Sequence, residues 1–156
     1  MTIGIEGAER WFEDYRQGAV HRFGRIAVEE EELLGFARKF DPQSIHTDPD
    51  KAKGGMFKGL IASGWHTAGL MRNLYARHYL SECSSIASPG IDDLRWPAPV
   101  RPGDQLSVQV TIEEARLSAS KPDRGLVRTL IEVLNQNDQV VMSMRAMNMI
   151  LRKPSP

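Results

Sequence analysis

Cysteine is nearly missing. Cys83 stands alone in 156 residues, so an intramolecular disulfide and a four-cysteine metal site are both excluded, and a reducing, intracellular setting fits best. There is no charge excess: 20 Lys+Arg balance 20 Asp+Glu, for a formal net charge of +0. With no basic surplus to neutralise phosphates, a nucleic-acid partner is not expected, and neutrality favours self-association. Long apolar runs are missing too. The longest relevant uncharged stretch, residues 59–71, stops well short of the ~18 residues that span a bilayer, so no membrane partner is expected. Residues 1–11 have no basic segment followed by an apolar one, which argues against a secretory signal and for a cytoplasmic location. Internal repeats and low-complexity segments are absent.

What remains is ordinary globular composition, with about 47% apolar residues once glycine is counted and tyrosine is not. The length suits one core and a single domain over 1–156, with only residues 153–156 reading as a frayed tail. Leu33, Phe36, Ala37 and Phe40 follow the i, i+3, i+4, i+7 pattern of a helix over 29–40. Glutamates at its start and Arg38 and Lys39 at its end suit the helix dipole. Asp41-Pro42 ends it, and a loop is expected next. A second, broader apolar pattern, from Trp65 through Ala68, Met71, Leu74 and Tyr75, predicts an enclosed helix from Gly64 to about Ser81, with Ser63 as its N-cap.

Beyond Cys83 the period changes. Leu106, Val108, Val110 and Ile112 alternate with polar residues, as in a strand with one buried face. Turn-forming segments at 101–104, 122–125 and 135–138 bracket further strands at 126–134 and 140–151 in an antiparallel meander. Residues 22–28 and 91–97 are two more strand candidates. The fold class is therefore α+β, a curved antiparallel sheet with one long helix against its concave face.

Two segments carry the candidate chemistry. In Asp41-Pro42-Gln43-Ser44-Ile45-His46-Thr47-Asp48, a carboxylate and an imidazole five residues apart can converge and divide acid and base roles. The same residues would equally serve as a helix stop and a hydrogen-bonded spacer. In Gly59-Leu60-Ile61-Ala62-Ser63-Gly64-Trp65-His66, small residues at a helix start let a substrate carbonyl approach the open amides. Close packing of a buried helix needs small residues as well. The methionines at 142, 144, 147 and 149 read as core or interface filler, and Lys121, Arg124 and Arg128 as solvated charges. His21 and His78 receive no role.

Together these segments resemble the MaoC-like dehydratases, the single-hotdog enoyl-CoA hydratase family. The shared elements are Phe36-Ala37, Asp41, His46, Asp48, Phe57, Gly59, Ile61-Ala62 and Gly64, with Arg101-Pro102-Gly103-Asp104 leading into an alternating strand. The resemblance runs from about residue 11 to 152. It implies a hotdog fold, in which a sheet wraps a long central helix, and an acyl-CoA substrate in a tunnel near the interface of a homodimer or dimer-based oligomer. It makes Asp41 and His46 the catalytic pair and gives the thioester oxygen to the Gly64 amide. Ser63, Trp65 and Arg72 are assigned to substrate binding. The reaction implied is reversible addition of water to a trans-2-enoyl-CoA, without metal or cofactor. Two departures stand out. The family's Asp-x-Asn-Pro-x-His appears here with Gln43-Ser44, and Arg72 aligns with a serine that orients the pair. Gln43 can stand in for an asparagine amide, but Arg72 cannot replace a small hydroxyl.

Three other functions are weighed. His46-Thr47-Asp48 with His66 or His78 has the composition of a two-histidine, one-carboxylate iron site, but the segment sits between helices and not on a strand barrel. A hotdog thioesterase would direct water at the carbonyl carbon instead of the β carbon. A hotdog acyl-CoA binder would keep the tunnel and lose turnover.

Overall fold

In a computed structural model that describes residues 9–156, the alternating segments pair into a five-stranded antiparallel sheet. Most of the segment read as lacking a secretory signal, residues 1–8, lies outside the described residues. Strands β1 (Val20–Ala27), β2 (Ser85–Arg95), β3 (Gln105–Leu117), β4 (Arg124–Leu134) and β5 (Val140–Leu151) lie in the order β1-β3-β4-β5-β2. Register keeps apolar residues on one face: Val108 lies opposite Val133, Val110 opposite Ile131, and Ile131 opposite Met144, all buried. A slip of one residue would expose every one of them. Met142 and Met144 belong to this inner face, whereas Met147 and Met149 are half-buried.

Helix α1 (Glu30–Phe40) buries Leu33, Leu34 and Ala37. Residues 41–63, expected as a loop, contain two short helices, α2 (Ser44–Thr47) and α3 (Pro49–Lys53). Neither is long enough to show a period. Asp48 starts α3 by accepting from the Lys51 amide at 3.0 Å, with Pro49 at the first helical position.

Helix α4 (Gly64–His78) crosses the sheet's apolar face and buries Leu70, Met71, Leu74 and Tyr75 against it. The Asn148 amide on β5 donates to the buried Tyr75 hydroxyl at 2.7 Å, which fixes the helix over the sheet. Gly24, at φ +77°, lets β1 come close: a Cβ there would lie 2.8 Å from Leu74 Cδ2.

Two expected boundaries move by three residues or more. Helix α4 stops at His78 and not near 81, because the Arg10 guanidinium donates to the carbonyls of His78 and Tyr79 at 2.7 Å each. That cap comes from far along the chain and leaves no local signal. Strand β2 begins at Ser85 and not at 91, and ends at Arg95. It is the sheet's edge, exposed along most of its length, with Pro89 and Gly90 inside it and three register shifts against β5. Edge position tolerates such residues and erases alternation. Among the described residues no helix is long and apolar enough to cross a membrane.

Candidate active site

The site begins where α1 is stopped. Asp41, pushed out of helical geometry ahead of Pro42, stands at the end of α1 with its amide bonded to the Ala37 carbonyl. The single turn of α2 then swings His46 back toward it. That turn is pinned to residue 61, whose amide donates to the Ile45 carbonyl at 3.2 Å; the next amide, of Ala62, donates to the Val100 carbonyl at 2.8 Å.

Asp41 Oδ2 lies 3.5 Å from His46 Nε2, with the imidazole almost wholly buried and the carboxylate about one-fifth exposed. His46 Nδ1 is 2.7 Å from the Ile61 carbonyl oxygen. A carbonyl can only accept, so the Nδ1 proton is fixed there and Nε2 is the atom left to work. Asp41 is held by two donors, Gln43 Nε2 on Oδ1 at 2.7 Å and the Ser63 hydroxyl on Oδ2 at 2.7 Å. Those bonds, Gln43 first and Ser63 second, lower the Asp41 pKa below its ordinary value. Partial burial opposes them and the His46 charge assists. The carboxylate is thus kept ionised beside an imidazole that has one proton seat facing it.

Ser63 is completely buried and caps α4 while it holds Asp41. Its oxygen accepts from the Trp65 amide at 3.3 Å, and its carbonyl takes the amides of His66 and Thr67 at 2.9 and 3.1 Å. Of the first amides of the helix, only that of Gly64 is left without a partner among the described residues. Gly64 must also be small. A Cβ there would fall 2.3 Å from Cε2 of Trp96, whose indole N–H donates to the Gly64 carbonyl at 3.0 Å.

These groups open on one cavity of about 330 Å³. Asp41, His46, Gly64 and Thr67 supply its polar atoms; its walls are apolar, from Phe57, Ile61, Ala62, Trp65, Trp96 and residues 97–100. Trp65 and Trp96 meet edge to face at 5.4 Å between ring centres. A carboxylate, an imidazole and a free amide around an apolar space can activate a water and polarise a carbonyl.

Of the residues singled out from sequence, Asp41, His46, Gly64 and Trp65 converge on the cavity. Ser63 does not line it; its hydroxyl is occupied by Asp41, so its assignment to substrate is corrected to positioning of the carboxylate. Arg72 does not join the group. It is exposed, with its guanidinium 5.5 Å from the Tyr75 ring centre. Eight residues past Gly64, it lies about 12 Å further along the helix axis. The orienting hydroxyl that Arg72 cannot supply comes from Ser63 instead. The expectation of an incomplete setting for the pair is corrected accordingly.

His66 pairs with Glu32 at 3.1 Å and stacks on Phe36. Asp48 caps α3. Among the described residues no group of three or more His, Cys, Asp or Glu is placed to hold a metal ion. Sequence reasoning missed the Ile61 carbonyl, Thr67 and Trp96. A backbone carbonyl has no sequence signature, and Trp96 arrives from beyond β2; the Trp-Pro-Ala-Pro stretch at 96–99 was the one available hint.

Comparison with known proteins places the chain in a family. A family model described as MaoC like domain matches residues 15–134. A crystal structure of a MaoC-like dehydratase from Rhodospirillum rubrum is 36% identical and superposes with a TM-score of 0.87, covering 94% of this chain and 100% of that one. The 3-hydroxyacyl-thioester dehydratase Z of Mycobacterium tuberculosis is 29% identical over 69% of this chain and 73% of its own length. The R-hydratase PhaJ1 of Pseudomonas aeruginosa shares the fold at a TM-score of 0.74, with 24% identity, covering 92% of this chain and 86% of that one. The chain belongs to the MaoC-like dehydratase family and has its hotdog fold.

Proposed function

We propose that this MaoC-like dehydratase adds water reversibly across the double bond of a trans-2-enoyl-CoA. The family and its hydratase and dehydratase relatives support a hydro-lyase. The mycobacterial relative's 3-hydroxyacyl thioester suggests the substrate class. The observation that carries the reading is the polarity of the pair. Two donors favour Asp41 as the ionised partner, and the Ile61 carbonyl leaves Nε2 as the working atom of His46.

In the proposed cycle the pair holds one proton, on Nε2. Asp41 takes a proton from a bound water, the hydroxide oxygen bonds to the β carbon, and the displaced π electrons run to the thioester oxygen, held by the Gly64 amide. His46 Nε2 then protonates the α carbon. The proton on Asp41 returns across the 3.5 Å gap to His46, and the pair is restored. No metal or redox cofactor takes part in this sequence.

We also propose a homodimer, or an assembly built from dimers, in one unit over 1–156, with a cytoplasmic location in line with its lone cysteine. The supporting feature is the open edge of β2, where Ile86 and Ile91 are 40% and 48% exposed. A bare edge of this kind is satisfied by pairing with a second copy. Light scattering at micromolar concentration should give twice the monomer mass or a multiple of it; a monomer defeats the proposal.

A panel of enoyl-CoA substrates tests the activity, followed by loss of the enoyl-thioester absorbance with simultaneous thiol detection. Absorbance loss without thiol is expected. Thiol release would make the protein a thioesterase, and tight binding with neither signal would make it an acyl-CoA binder.

A further inference from the structure

Thr67 has no task in the mechanism so far. It is 1% exposed and lines the cavity. Its backbone amide is bonded to the Ser63 carbonyl at 3.1 Å, and its hydroxyl has no hydrogen-bond partner among the described residues. A hydroxyl with no protein partner, on a residue that lines a cavity, is free to bond what enters that cavity. The other polar groups of the cavity are accounted for. Asp41 holds Gln43 and Ser63, His46 Nδ1 is on Ile61, and Nε2 faces Asp41. Three donors are open: the Gly64 amide, the Thr67 hydroxyl and the indole N–H of Trp65, which is 56% exposed and reaches solvent.

The first two also stand together. Thr67 is three residues on from Gly64, about 4.5 Å along the axis and on a neighbouring face. Side chains of a helix lean toward its amino terminus, so the Thr67 side chain leans back toward the Gly64 turn. A thioester oxygen has two lone pairs and gains charge as the enolate develops, and one amide satisfies only one of them. We propose that the Thr67 hydroxyl donates a second hydrogen bond to the thioester carbonyl oxygen, beside the Gly64 amide. The inference rests on the hydration reading above and adds a catalytic residue to it.

Thr67→Val keeps the shape and removes the donor. Losing one donor to a developing oxyanion lowers kcat by about 100-fold, with KM changed far less, because the bond is strongest in the transition state. Thr67→Ser should restore most of the rate. Infrared spectra give a readout independent of turnover, using the saturated counterpart of whichever enoyl-CoA the wild type hydrates fastest. Binding to wild type should lower the thioester C=O stretch, and binding to Thr67→Val should lower it less. If Thr67→Val fails to unfold cooperatively, Thr67→Ala takes its place in both measurements. Equal stretches in wild type and variant, or a wild-type kcat in the variant, overturn the role of Thr67 and leave the hydration reading standing. A wild-type protein that hydrates no enoyl-CoA overturns that reading, and this inference with it.

Discussion

Helix α4 carries two kinds of surface. Around its first turn, Ser63, Gly64 and Thr67 are small, and their polar atoms hold Asp41, cap the helix or face the cavity. From Leu70 to Tyr75 the same helix presents large apolar side chains to the sheet. The first turn buries small and polar groups; the later turns bury large apolar side chains and touch none of the reacting groups. One continuous helix therefore lets the fold's strongest packing hold its chemistry in place. Changes in the first turn should move rate and pH dependence, and changes further along should move stability alone.

The sharpest test removes the reacting groups. Asp41→Asn and His46→Ala should each lower turnover by at least ~100-fold, the usual scale for a positioned acid or base. Because both act in one addition step, the double variant should be scarcely slower than either single one. Steady-state rates on the preferred enoyl-CoA, with urea unfolding of the same samples, check both halves. Near-wild-type rates in either variant would remove the proposed mechanism.

The opposite break lies ten residues beyond Gly64. Leu74→Ala deletes a buried side chain that packs on Gly24 of β1, and deletions of this kind cost about 2–5 kcal/mol. Urea unfolding should show that loss, while kcat well below the melting transition stays at the wild-type value. A large fall in kcat with little change in stability would mean that the later turns also take part in chemistry.

The same division governs how much could be read from sequence. The sheet was legible because β3, β4 and β5 each bury one face, so period-2 alternation writes their register into the chain. Asp41, His46 and Gly64 were legible because proline, spacing and small residues mark them locally. What escaped came from elsewhere in the chain or from the backbone. The Ile61 carbonyl that sets the His46 tautomer is present at every residue, Trp96 reaches Gly64 from beyond the edge strand, and Arg10 ends α4 from the amino-terminal side. Ser63 was recognised as a cap, but its second bond to Asp41 depends on how α1 and α4 meet. Edge strand β2 was found only in part, since exposure on both faces removes the pattern.

A smaller effect separates the two duties of Ser63. Ser63→Ala removes the second of the two bonds that keep Asp41 below its ordinary pKa, so that pKa should rise toward its ordinary value. Asp41 works ionised, and the rate falls as pH drops through its pKa; a higher pKa starts that fall at a higher pH. The acid limb of the kcat profile should therefore move upward in pH. Loss of the cap on α4 should cost about 1 kcal/mol. An unmoved acid limb, with the cap loss still present, would confine Ser63 to the helix end.

The smallest effect is expected at Arg72, and it bears most directly on where the chemical part of α4 ends. The side chain is charged at all working pH values and exposed, so it needs no buried partner. Its guanidinium rests over the Tyr75 ring at 5.5 Å. An exposed cation–π contact of this kind contributes about 0.5–1 kcal/mol at most. At about 12 Å along the axis from Gly64, it is too far to share a hydrogen bond with Asp41 or with a thioester held at the first turn. Arg72→Ser should therefore leave the acid limb, the substrate preference and kcat unchanged, with urea stability lowered by no more than that contact supplies. A pH–rate profile and a KM comparison of carboxylated with simple acyl-CoA substrates are the measurements. If the variant shifts the acid limb, the guanidinium senses Asp41. If it raises KM selectively for the carboxylated substrate, the binding surface of α4 extends two turns beyond Gly64. Either result would move the boundary between the two surfaces of the helix from the turn at Thr67 to the turn at Arg72.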